Sequence, residues 1–109
     1  MDWLHLVSYF FGGVFFSNAV PHFVSGMMGR PFQSPFAKPP GKGLSSSSVN
    51  VLWGLFNAVI GYLLVLRVGD FHLRSTVDVL ALGLGVLFIS TRMARHFGQF
   101  HGGNAPESQ

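Results

Sequence analysis

Cysteine is absent from the 109-residue chain. That excludes a disulfide framework, thiolate catalysis and thiolate metal ligation. Charge is nearly as scarce, with 10% Asp, Glu, Lys and Arg against roughly 25% in an ordinary soluble domain. Only four residues are acidic, too few and too scattered for the paired carboxylates of hydrolytic chemistry. The seven Lys and Arg form no basic stripe, which argues against nucleic acid as a partner and leaves topology and anionic lipid as roles for the positive charge.

What fills the space is apolar. Hydrophobic residues make up 49% of the chain, and twelve of its residues are Phe. A soluble chain this small buries too low a fraction of its surface to hide so much apolar area, so lipid is the expected solvent. Three runs carry the signal: Trp3 to Val24, Val49 to Leu66 and Val77 to Thr91. The first two approach the roughly 20 residues needed to cross a bilayer. The third does so only if Arg92, Arg95 and His96 are included and reach toward the headgroups. The expected fold is therefore all-α, an integral membrane three-helix bundle over residues 1–98. Its helices lie near 3–26, 48–67 and 76–97, with an irregular 27–47 loop and a disordered 99–109 tail. The first run is read as a retained span, since Met1-Asp2 lacks the basic start of a signal peptide.

Between the first two runs lies the least ordinary stretch, Asn18 to Lys42. Pro21 interrupts helical hydrogen bonding, and Pro31, Pro35, Pro39 and Pro40 exclude a continuous helix beyond it. Gly41-Lys42-Gly43 precedes four serines but lacks the spacing of a phosphate-binding loop. The serines instead predict a helix N-cap, as do Ser75 and Thr76 ahead of Asp78.

Arg67 and Arg74 flank one side of three such spans. Arg30, Lys38, Lys42, Arg92 and Arg95 flank the other. The positive-inside rule then places the loop and tail in the cytoplasm and the amino terminus outside, in a bacterial inner membrane. At the cytoplasmic ends this arrangement assembles a candidate ligand site of Asn18, His22, Arg30, Asn50, Arg92 and His96. Asn18 and His22 are four residues apart, as are Arg92 and His96, so each pair shares a helix face. Small and amide residues form a second set, for helix packing: Gly12, Gly54, Asn57, Ala58, Gly61, Ala81 and Gly85.

Donors without a fixed acid among them suit an anion. The expected function is a small binding or accessory protein of the membrane that holds an anionic lipid headgroup or a partner. Membrane lipid is the expected partner, and self-association or membership of a larger membrane complex is expected too. A protomer of a small oligomeric channel or transporter is the alternative, and an enzyme acting on lipid or quinone stands third. No cofactor fingerprint is present. His22 and His96 alone fall short of a metal site, so neither a cofactor nor a metal is expected. Finally, the run NAVPHFVSGMMGRPFQSPFA, followed by a Pro-Gly loop and VNVLWGLFN, resembles a type of small bacterial three-helix membrane protein; that likeness implies no activity.

Overall fold

A computed structural model describes residues 2–105. Three helices dominate: α1 (Trp3–Met27), α2 (Ser47–Tyr62) and α3 (Thr76–His101). The last turns of α2 widen into a π-helical segment, Leu63–Val68. All three helical segments, the second running through the π-helical turns as Ser47–Val68, are long and apolar enough to cross a membrane, with mean hydropathy of 1.2, 1.9 and 1.7 over their most apolar stretches. Their starts are capped from the sequence side. Asp2 accepts from the Leu4 amide, Ser46 from Val49 and Ser75 from Asp78, each satisfying an amide that the helix itself cannot.

The packing is organised around α1. It meets α2 along one side and α3 along another, whereas α2 and α3 hardly touch each other. Neighbouring glycines make this possible. A side chain at Gly12 would strike Val65 at the end of α2, and one at Gly13 would strike the Leu82 carbonyl of α3. On the facing helices the small residues answer. Gly54 admits the Phe23 backbone, and Gly85 admits the Phe10 carbonyl. Such close backbone approach is what replaces the hydrophobic effect between helices in lipid. Ala58 and Ala81, from the same expected set, are only half-buried and line grooves beside these seams.

The connection between α1 and α2 is non-helical, and within it lies a pairing the sequence did not predict: β1 (Phe32–Gln33) runs antiparallel to β2 (Leu44–Ser45), Phe32 opposite Ser45. Ser34, 1% exposed, ties the turn between them, since its carbonyl accepts from the Gly41 amide at 2.8 Å and its hydroxyl bonds that of Ser45. The tail is also shorter than expected. Residues 99–101 are helical, and α3 ends at Gly102 in the left-handed conformation that glycine favours (φ 81°). Asn104 then folds back to donate to the Arg95 carbonyl at 2.8 Å. Gly98, which looked like a helix end, is the surface on which Asn104 rests. Positions 106–109 of the expected tail lie outside the described residues.

Candidate functional site

Asn50 sits in the first turn of α2 with no solvent exposure. Its amide nitrogen lies 3.1, 3.2 and 3.0 Å from the carbonyls of Phe32, Ser45 and Ser46. All three partners are acceptors, so the NH2 must face them and the side-chain oxygen must face the other way. That oxygen lies 2.8 Å from His22 Nδ1, and an oxygen without a hydrogen requires Nδ1 to donate. The His22 tautomer is thereby assigned by its partners: Nδ1 carries the proton, and Nε2 keeps a lone pair in the neutral ring. His22 is 3% exposed. The rings of Phe32, Trp53 and Phe97 surround it at centroid distances of 5.5, 6.4 and 6.0 Å, all near perpendicular.

One turn deeper, Asn18 donates to the Asn57 side-chain oxygen at 3.0 Å, and Asn57 donates to the Trp53 carbonyl at 2.8 Å. Asn57 therefore does more than pack. The two pairs form a hydrogen-bonded polar seam between α1 and α2.

The end of α3 reaches the same region through histidines. His96 Nε2 donates to the Gly41 carbonyl at 2.6 Å. His101 Nε2 lies 3.0 Å from the Gln33 side-chain oxygen, and its ring stacks on Phe32 at 5.3 Å. The β1–β2 hairpin is thus clamped over the ends of α1 and α2 and latched to α3. His101, Ser34 and Ser45 were missed by sequence reasoning. His101 was assigned to a tail, and nothing local marks the others.

Arg92 and Arg30 do not join this cluster. Arg92 is exposed, with its guanidinium carbon 4.8 Å from the Phe88 ring centroid. Arg30 is exposed in the turn that follows α1. Because α1 stands between α2 and α3, the Arg-bearing surface of α3 is kept away from Asn50. It forms instead its own open cavity of about 690 Å³, lined by Thr91, Arg92, Arg95 and His96. The six expected residues divide into a buried amide–imidazole core (Asn18, His22, Asn50), an exposed Arg92 and Arg30, and a His96 that borders both.

No protein-family model matches the chain, and neither a curated protein nor a solved structure matches it. The site must be read from its geometry alone.

The opposite end of the molecule holds the three described carboxylates. Asp2, Asp70 and Asp78 line a cavity of about 290 Å³ with His5, Tyr9 and His72. Tyr9 is 2% exposed, and its hydroxyl accepts from the Asp70 amide at 2.9 Å. His72 approaches Asp70 at 3.3 Å and His5 approaches Asp2 at 3.5 Å. Among the described residues no three His, Asp or Glu side chains converge to hold a metal.

Proposed function

We propose that the chain is an integral three-span membrane protein whose loop end faces the cytoplasm, and that it binds an anionic lipid headgroup there. The observation that carries this reading is the cavity shared by Arg92, Arg95 and His96, at the end opposite Asp2, Asp70 and Asp78. Guanidinium groups match phosphate oxygens in geometry and charge. Anionic headgroups are the phosphates present at that depth. The buried core has the separate task of fixing the hairpin, and through His96 it holds one edge of the cavity in place. Thr91 adds little, because its hydroxyl is committed to the Leu87 and Phe88 carbonyls.

Native mass spectrometry of the purified protein with cardiolipin or phosphatidylglycerol tests the reading. The Arg92→Ala/Arg95→Ala double variant is expected to lose the bound lipid, while Arg67→Ala, at the other end, retains it. Equal binding by the double variant and the wild type would overturn the proposal.

A further inference from the structure

A second seam of the molecule has a composition that plain lipid does not explain. Where α1 and α3 diverge, a groove of about 500 Å³ is lined by Ser17, Pro21, Phe32, Ser90, Met93 and Phe97 and by three smaller aliphatic side chains. It opens sideways between the two helices. Ser17 lies fourteen residues from the start of α1, and Ser90 fourteen from the start of α3. The helices begin at the same end, so both serines lie about 21 Å along at 1.5 Å per residue. On the membrane reading above, on which this inference rests, that depth is hydrocarbon.

Three polar groups at this level lack a usual partner. The Ser17 carbonyl has none along the helix at the usual spacing, because Pro21 has no N–H to offer it. The Ser17 and Ser90 hydroxyls make no hydrogen bond, whereas the hydroxyls of Thr91 and Ser8 each find a carbonyl. A hydrocarbon chain leaves all three unsatisfied. Below them Met93, Phe97 and Phe32 offer a soft, flat apolar wall. The set asks for an apolar body with an O–H at one end: the O–H donates to the Ser17 carbonyl, and its oxygen accepts from a serine hydroxyl.

We propose that the α1–α3 groove binds a lipophilic alcohol or phenol taken from within the bilayer. This site is distinct from the Arg92–Arg95 cavity, since Ser90, Met93, Ala94 and Phe97 lie on another face of α3 from Thr91, Arg92, Arg95 and His96.

The test uses the full chain in phosphatidylcholine vesicles with two photoreactive probes, a long-chain alcohol bearing a diazirine and the same chain without the hydroxyl. The alcohol is expected to label Val86–Phe97 and Ser17–Pro21 well above the hydroxyl-free probe. Pro21→Ala restores the N–H that occupies the Ser17 carbonyl, and Ser90→Ala removes one hydroxyl without touching α1. Each is expected to cut the excess labelling about fivefold, the worth of one neutral hydrogen bond. A lipophilic hydroquinone should compete better than the corresponding long-chain alcohol if the aromatic wall selects a phenol, and less well if the chain dominates; either result supports the site. Equal labelling of this seam by both probes would overturn the proposal, as would an excess unchanged in both variants. So would competition by a quinone equal to that by the hydroquinone, since a quinone has no O–H to give. If neither probe labels the chain anywhere, the membrane reading itself is overturned, and the groove loses the hydrocarbon setting it depends on.

Discussion

Among the described residues Asn50 makes more hydrogen bonds than any other single side chain, meeting three backbone carbonyls and one imidazole at no solvent exposure. Truncation at this position leaves buried acceptors unbonded. Asn50→Ala is therefore expected to destabilise the protein by ~2–4 kcal/mol, read as a lowered melting temperature in detergent. Asn50→Asp is the sharper test. Aspartate has nearly the same shape but sets oxygen where the NH2 faced three carbonyls, so it should be at least as damaging as alanine. A near-neutral Asp variant would show that shape, not donor identity, holds the hairpin. At this scale the sequence was partly legible. Asn18, His22 and Asn50 declared themselves by being polar in apolar surroundings. Their depth followed from counting residues. What counting does not supply is the direction a helix turns each face, and Arg92 failed to join His22 for that reason alone.

Among the elements, α3 depends on α1 through a very close backbone approach. Gly85 admits the Phe10 carbonyl, whereas a side chain at Gly83, two residues away, would meet nothing within 4 Å. Gly85→Ala is expected to cost about 1–3 kcal/mol by overpacking. Gly83→Ala should instead gain up to ~1 kcal/mol from helix propensity. Chemical unfolding in mixed micelles distinguishes the two, and equal effects would mean that α3 is not seated on α1 as described. The hairpin forms a second contact between elements, through His101 with Gln33 and through His96 with Gly41. Removing the first by His101→Ala should expose the Lys42–Gly43 bond to faster tryptic cleavage, with Gln33→Ala giving the same increase and the double variant little more. Neither the hairpin nor the final turn of α3 was legible in advance. Two-residue strands show no alternation, and their order comes from Asn50 and the histidines far along the chain. For α3, the Gly102-Gly103 pair was a usable stop signal, but Gly98 came first and was read as the end.

Across the whole molecule, charge is sorted by end. The described carboxylates and Arg67 and Arg74 stand at the end that joins α2 to α3, and Arg30, Lys38, Lys42, Arg92 and Arg95 stand at the other. The orientation proposed for the membrane depends on α3 crossing it, and α3 carries two of those arginines. From Thr76 to Arg92 the helix rises about 24 Å, and over all 26 residues about 39 Å. A hydrocarbon core of ~30 Å then ends near Arg92 and Arg95, whose side chains can extend toward headgroups. α3 has the length to span, and its arginines fall where a span must stop. A reporter active only in the cytoplasm, fused after Gln109, is thus expected to be active. The same reporter inserted after Leu73, in the link between α2 and α3, is expected to be silent. A reporter active only outside should give the reverse pattern. Identical results at both positions would mean that α3 lies along one surface, and the cavity of Arg92, Arg95 and His96 would then face a different environment from the one its proposed ligand requires.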